Sequence, residues 1–496
     1  ADVKSGFLEL YNDERVLKVI DLENLPEEIE VNLADAKVES GYLTLRLVSR
    51  LRSQDDLCET AYVGAWLDIE KASIRFSGKP NPPTVVSEFF PPILTHLVIE
   101  VPPPLTPAQA EATLTLSAAL TLRYSNQPYK LHVVSHSDEI PSEITEQPLA
   151  RRIVIRNAPQ SELILQNDGS LPTLIVQGEG QALTTQSNWL SSTFSPLGIN
   201  REIKVLEWKV PEESNKNTVT LAELGYTLQQ VTGVGRMDIS IGFSQADLGS
   251  SLRNLGARLV GRHTAIEALA SANLSVLFNG ALIHSQLLSA TPQFDLYLSL
   301  PNSLLQRENT LTVRFDYTPR QGECRIGISP FTAQLWENSY LQFDHGEVLP
   351  VGFLRFPQSL LPEFQVTIDP LTSENLRRAI ELVSILQHAS KKPLRAKWED
   401  WQTGSATSQA WLIIQSDPSA IAALKPPLEL SPFRVADING RELLRFDGEL
   451  PFAALQAFES NKAQVLLLSA SRQEALIDQL LLSLRQSQNG WYELAG

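Results

Sequence analysis

Seven histidines are scattered along 496 residues, and only His132 and His136 stand close enough to act together. An i, i+4 spacing on an extended segment puts both side chains on one face. A metal ion needs a third ligand, none lies nearby in sequence, and a surface or core role is the plainer reading. Cys58 and Cys324 have no neighbouring base motif, so burial as small apolar residues is favoured over nucleophilic chemistry. Two cysteines are too few for a disulfide scaffold or a structural zinc site, and a bond between them would require two β units to face each other. Carboxylate pairs such as Asp55-Asp56 and Glu27-Glu28 are inevitable among 57 acidic residues, and nothing selects a glycosidase pair. There is no Gly-x-Ser-x-Gly elbow, Walker loop or Gly-x-Gly-x-x-Gly fingerprint. Gly178-Glu179-Gly180 and Gly233-Val234-Gly235 read as turns, and no residue qualifies as catalytic. What remains is flat aromatic surface. Trp66 and Trp336 follow the two cysteines, Tyr340 lies just beyond, and Tyr226 and Trp208 are further candidates. A flat ring stacks on the apolar face of a pyranose; the same rings would equally serve to fill a β core.

The elements that would position such rings must come from an acidic chain rich in proline. Lys and Arg number 41 against 57 Asp and Glu, a net charge of -16 with a pI near 5.0. That balance repels phosphate backbones and argues against a nucleic-acid partner. The densest basic cluster, Lys391, Lys392, Arg395 and Lys397, is followed at once by Glu399 and Asp400. No apolar run approaches the roughly 18 residues of a membrane helix. At 43% hydrophobic and 20% charged, with mean hydropathy -0.09, the chain suits a globular protein with several cores. Thirty-one prolines against 25 glycines fit many short strands and rigid turns better than a helical bundle. The chain opens at Ala1 and its only methionine is Met237, which reads as a processed or engineered piece. A signal peptide or anchor would then lie outside it.

An internal repeat organises the rest. Adding 266 to positions in the first quarter carries Cys58 onto Cys324, Thr44-Leu45 onto Thr310-Leu311 and Ser73 onto Ser339. The same shift carries Phe90-Pro91 onto Phe356-Pro357, Pro104-Leu105-Thr106 onto Pro370-Leu371-Thr372, and Leu116 and Leu120 onto Leu382 and Leu386. Matches that include the rarest residue and contiguous Pro-containing stretches favour a tandem duplication over two unrelated domains with similar turns. Residues 206 to 270 find no partner, so the precursor is expected to continue upstream, unless the first copy is degenerate.

Each copy changes character at Phe-Pro. Upstream, period-two alternation predicts strands at Phe7–Tyr11, Leu43–Ser49, Ser73–Phe76, Met237–Phe243, Phe294–Leu298, Leu311–Tyr317 and Ser339–Phe343. Short strands between Pro, Gly, Asn and Asp turns indicate a β-sandwich or barrel. Downstream, strands alternate with helices, as in a parallel α/β sheet. Glu363–Ile368, Ala410–Gln415 and Gln464–Leu468 read as strands. Thr372 is an N-cap before an apolar stripe of Leu376, Ala379, Ile380, Val383 and Leu386. Ser471-Arg472-Gln473-Glu474 reads as a capping box opening a helix to about Gln486. Ala110, Ala112, Leu114 and Leu116 alternate like a strand, but Thr106-Pro107 is a helix start, and the match to the Thr372 helix decides for helix. The expected fold class is mixed β and α/β: two β-sandwich domains alternating with two α/β domains, over 1–88, 89–202, 203–355 and 356–496. A phosphate-binding cofactor would need backbone N–H groups at the first strand-to-helix turn. Pro102-Pro103-Pro104 and Asp369-Pro370 remove donors there, so no cofactor is expected.

Several of these segments resemble one family. Thr220–Tyr226 is similar to the Leu-Gly signature of the carbohydrate-binding unit of the BcsB family, a component of bacterial cellulose synthase, and Leu274–Asn279 to its "L-x-V-x-x-N" strand. Glu308–Phe315 followed by Gly322-Glu323-Cys324 looks like its "N-x-L-x-x-x-F…C" segment, and Phe356-Pro357 matches its junction into a flavodoxin-like domain. The resemblance, best from about 217 to 370, implies two carbohydrate-binding β domains and two flavodoxin-like domains without flavin. It further implies an extracytoplasmic protein, periplasmic or at the cell surface, anchored by a membrane helix that this chain does not include. The implied partners are the catalytic glycosyltransferase of the complex and its cellulose or related β-glucan. A stand-alone surface glycan-binding or adhesion protein, or a carbohydrate-active enzyme, are the competing expectations.

Overall fold

The computed structural model describes residues 3–24, 28–34, 36–37, 43–53, 75, 81–125, 127, 129–136, 140–167, 169–209, 217–249, 251–319, 330–346, 349–401, 409–430, 432–437, 440–446, 451–486 and 491. The chain divides into two compact units. One comprises Ala1–Phe76, Asn217–Ser244 and Asn254–Asp344; the other comprises Ser77–Lys216, Gln245–Arg253 and His345–Gly496.

The first unit begins with β1 (Val3–Asn12), β2 (Arg15–Asp21) and β3 (Arg46–Ser53), antiparallel in the order β2-β1-β3. Leu8, Leu10 and Ile20 are buried while Phe7 and Val19 are exposed, the alternation of a sheet covered on one side. The expected strand at Leu43–Ser49 starts later, at Arg46. Trp66, Cys58, Cys324 and nearly all of Ser73–Phe76 lie outside the described residues.

In the second unit, β4 (His96–Glu100), β5 (Lys130–Val134), β6 (Arg151–Asn157) and β8 (Thr173–Gly178) run parallel. β7 (Glu162–Gln166) is antiparallel to β8 and to β9 (Glu202–Ile203), giving the order β5-β4-β6-β8-β7-β9. α1 (Pro107–Arg123), a single turn α2 (Ser142–Thr145) and α3 (Gln181–Leu190) connect the strands. Thr106 starts α1: its Oγ accepts from Gln109 N at 3.3 Å, and Gln109 Oε1 accepts from Thr106 N at 3.0 Å. Eleven of the 17 residues of α1 are buried, on more than one face.

Among the described residues, 218 to 345 carry ten strands: β10 (Thr218–Thr220), β11 (Gln229–Gly233), β12 (Gly235–Ser244), β13 (Leu252–His263), β14 (Ser271–Phe278), β15 (Ala281–Leu287), β16 (Gln293–Ser299), β17 (Glu308–Thr318), β18 (Phe331–Leu335) and β19 (Tyr340–His345). One sheet runs β10-β19-β13-β18-β11 with β16 on the other edge of β13; the second runs β12-β17-β14-β15. A short helix, α4 (Gln245–Leu248), interrupts them. Phe294 of the first sheet meets Phe315 of the second at 5.9 Å, and Phe331 of the first meets Tyr317 of the second at 5.2 Å. These rings close a sandwich core. Packing is tight: a Cβ at Gly261 would sit 2.2 Å from Phe294 Cζ and 2.3 Å from Gln334 O.

The last segment returns to α/β. β20 (Phe364–Asp369), α5 (Ser373–His388), β21 (Ala396–Trp398), β22 (Trp411–Gln415) and α6 (Pro418–Leu424) lead into an antiparallel excursion of β23 (Leu428–Leu430), β24 (Phe433–Ala436) and β25 (Glu442–Phe446). β26 (Phe452–Ser460), β27 (Ala463–Ser471) and α7 (Ala475–Gln486) follow. The order is β21-β20-β22-β27-β26, four parallel strands with β26 antiparallel at the edge, repeating the arrangement β5-β4-β6-β8-β7. The two α/β halves share one core, joining Leu97, Leu114 and Leu116 to Leu382, Leu386 and Leu466. Polar bonds lock the seam. Trp398 N donates to Glu111 Oε2 at 2.9 Å, and Ala396 N donates to Thr115 Oγ at 3.2 Å. α7 begins beyond Ser471–Glu474, but those residues are occupied elsewhere: the Ser471 hydroxyl accepts from Phe452 N, and Glu474 accepts from Arg378 and Ser416.

Candidate functional site

Strand alternation gives the β16–β13–β19 sheet an inner face of Leu255, Ala257, Leu259, Phe294, Leu341 and Phe343, all buried, and an outer face open to solvent. Two strands set the outer face. On β13 it carries Asn254, Gly256, Arg258, Val260 and Arg262; on β16, opposite, Asp295 faces Val260 and Tyr297 faces Arg258. The Arg258 guanidinium forks the Asp295 carboxylate at 2.8 and 2.6 Å and stands 5.9 Å from the ring centroid of Tyr340 on β19. Those hydrogen bonds hold the Asp295 carboxyl below its ordinary value.

Tyr297 is 60% exposed. A Cβ at Gly256 would lie 3.0 Å from the Tyr297 hydroxyl and 3.4 Å from Cζ, so the hydroxyl end of the ring reaches over the outer position of β13 that has no side chain. Its hydroxyl reaches Gln342 Oε1 of β19, donating at 3.5 Å. Other partners on this face are amides, hydroxyls and one further carboxylate. Gln334 Nε2 donates to Gln230 Oε1 at 2.8 Å, Thr232 and Thr332 hydroxyls sit 3.0 Å apart, and Asn254 Nδ2 donates to Asp344 Oδ2 at 2.9 Å.

Two of the residues singled out by sequence belong to this sheet. Tyr340 is half-buried beside Arg258, and Trp336, half-buried just past β18, donates its backbone N–H to Val260 O at 2.9 Å. Tyr226 is elsewhere in the sandwich: its hydroxyl donates to Gly242 O at 2.9 Å and accepts from Gly242 N at 2.8 Å, tying a turn to β12. Trp208 is not in the sandwich. It lies in the second unit, half-buried and edge-on to Phe194 at 5.5 Å, because the sandwich strands begin only at Thr218. Tyr297 was legible from the Phe294–Leu298 alternation, which sends every second residue outward, but its distance from the cysteine landmarks hid it.

His132 and His136 do not share a strand face, since β5 ends at Val134. His132 instead stacks on His96 of β4, with ring centroids 5.5 Å apart. Among the described residues no group of three or more His, Cys, Asp or Glu is placed to hold a metal ion. The strand-to-helix turns are filled from within. Gln109 Nε2 donates to Pro102 O and Ile155 O, each at 3.1 Å, and Asn375, 266 positions on, donates to Pro370 O at 3.0 Å.

No family model matches the chain, and no curated protein does. Solved structures resemble parts of it. TmCBM61 in complex with beta-1,4-galactotriose is 9% identical with a TM-score of 0.16, over 23% of this chain and 69% of that chain. CBM51 from Clostridium perfringens GH95, in complex with methyl-galactose, is 14% identical with a TM-score of 0.15, over 25% and 99%. The infectious bursal disease virus VP2 subviral particle is 14% identical with a TM-score of 0.18, over 27% and 33%. Likeness at this level leaves any ligand to be argued from the site.

Proposed function

We propose that the chain is a non-catalytic, extracytoplasmic glycan-binding component of a cellulose synthase complex, which guides the nascent glucan and supports a membrane-embedded glycosyltransferase. One observation carries this reading: the sandwich presents a solvated sheet face on which aromatic rings stand among amides and hydroxyls, with its arginine compensated by an aspartate. A polymer in transit needs weak, repeated contacts, because tight binding would stall it. An exposed face suits that need. The resemblance to the BcsB family supplies the glucan and the synthase partner.

We further read the two α/β halves as flavodoxin-like copies of one ancestral unit. The recurring strand order and the equivalent caps at Thr106 and Thr372, 266 positions apart, support the duplication.

The test is titration of the chain with cello-oligosaccharides, analysis of the products, and co-purification with the glycosyltransferase. Weak binding, intact oligosaccharide and recovery of the synthase are expected. Absence of binding would end the glycan reading, and release of shorter sugars would end the non-enzyme reading.

A further inference from the structure

We infer that Tyr297, rather than Trp336 or Tyr340, is the stacking platform of this face, and that the face takes an uncharged linear glycan lying across the strands. The inference rests on the glycan-binding reading and adds the place, direction and charge class of the ligand.

Exposure is the first argument. Trp336 and Tyr340 are half-buried, whereas Tyr297 leaves 60% of its surface to solvent. Preorganisation is the second. The hydroxyl end of the ring sits over Gly256 and donates to Gln342, so the ring is held at its tip while most of the residue stays exposed. A ring already fixed loses little rotamer freedom when a sugar stacks on it.

The direction follows from register. Tyr297 of β16 stands opposite Arg258 of β13, Arg258 stands beside Tyr340 of β19, and Tyr340 stands opposite Thr220 of β10. These side chains form a row perpendicular to the strands. Four strands at about 4.8 Å spacing make the row about 14 Å long, enough for more than one sugar ring. Arg258 and Gln342 place hydrogen-bonding groups beside the ring, where equatorial hydroxyls of a stacked pyranose point.

Charge sets the class. Asp295 already occupies the fork of Arg258, the residue opposite Tyr297. A uronate stacked on Tyr297 would meet the Asp295 carboxylate at a fork already filled; a neutral glucan meets no such cost.

The experiment is calorimetric titration of the chain with cellohexaose and with hexagalacturonate, using wild type, Tyr297→Ala, Tyr297→Phe and Trp336→Ala, each checked by thermal melting. Wild type is expected to prefer cellohexaose. Tyr297→Ala should weaken that binding about tenfold, equivalent to about 1.4 kcal/mol, with an unchanged melt, and Tyr297→Phe should restore it. If wild type binds neither sugar, the glycan reading falls and this inference with it. If wild type binds cellohexaose but Tyr297→Ala binds equally well, or hexagalacturonate binds as tightly, this inference alone is overturned.

Discussion

His96 and His132 stack on adjacent strands with little room for a proton. His96 Nδ1 and His132 Nε2 are buried without hydrogen-bond partners. Burial holds both imidazoles below their ordinary value; Lys130 adds repulsion to each, and for His132 so do His96 and Arg485. The unfolded chain therefore takes up these protons more readily than the folded one. Stability present above the ordinary imidazole value of about 6.5 is lost as the pH falls below it. Glu111 and Glu381, pushed up mainly by burial, act in the opposite direction and support the fold as acid is added. His132→Phe keeps a ring on His96 and removes one titrating group. Its urea midpoint is expected to fall less than that of wild type between about pH 7.5 and about pH 5.5; an equal fall would show that this pair does not couple protonation to folding. The outward side of Tyr297 is legible from strand alternation, but neither the histidine stack nor the seat of that ring is, because both depend on a neighbour strand. His96 and His132 meet through β4–β5 pairing, and Tyr297 needs Gly256 beside it.

Among elements, α1 shows where sequence periodicity misleads and why. Ala110, Ala112, Leu114 and Leu116 alternate like a strand, yet all are buried in a helix. A helix covered by its own sheet on one side and by α5 and β21 on the other has no polar face to mark a 3.6 period. The Thr106-Pro107 start remained legible because caps are local. Thr106→Ala should lower stability by about 1 kcal/mol in chemical denaturation, as should Thr372→Ala; no loss in either would mean that packing alone fixes these helix starts. A larger effect belongs to the clasp between α5 and α7. Arg378, with its side chain 3% exposed, donates to both oxygens of Asp478 at 3.1 Å and to Glu474 at 2.8 Å. Arg378→Ala leaves Asp478 with only part of its compensation and is expected to cost about 3 kcal/mol or more, read as a shifted urea midpoint. In the sandwich, Gly261→Ala forces its new methyl onto Phe294 and the Gln334 carbonyl, and should abolish the cooperative melt of that unit or displace it by several degrees. A melt unchanged from wild type would show that the strands shift aside freely.

At the scale of the whole molecule, the 266-residue shift follows the recurring strand order of the two α/β halves over only part of their length. The 266-residue shift maps the start of α1 onto the start of α5 and β5 onto β21, but it already carries β6 onto α6 instead of β22, and β23–β25 then widen the offset before β26 and β27. The alternation of β and α/β segments was legible along the chain. Their grouping was not: the unit of α/β halves gathers three separate stretches of sequence, and a seam of Glu111, Thr115, Ala396 and Trp398 leaves no signal in either stretch alone. A common core predicts common cooperativity. In native-state hydrogen exchange, amides of α1 and α5 should report the same opening free energy; a gap of more than about 2 kcal/mol between them would mean that each half opens alone.

That seam also constrains inheritance. A crossover that replaced one α/β half with a diverged homologue would set Glu111 and Thr115 against foreign backbone and leave α1 beside an unmatched helix. The pair is therefore transmissible only as a block, and substitutions along α1 and α5 must drift in concert while the solvent-facing side of the sandwich remains free to vary with whatever it meets.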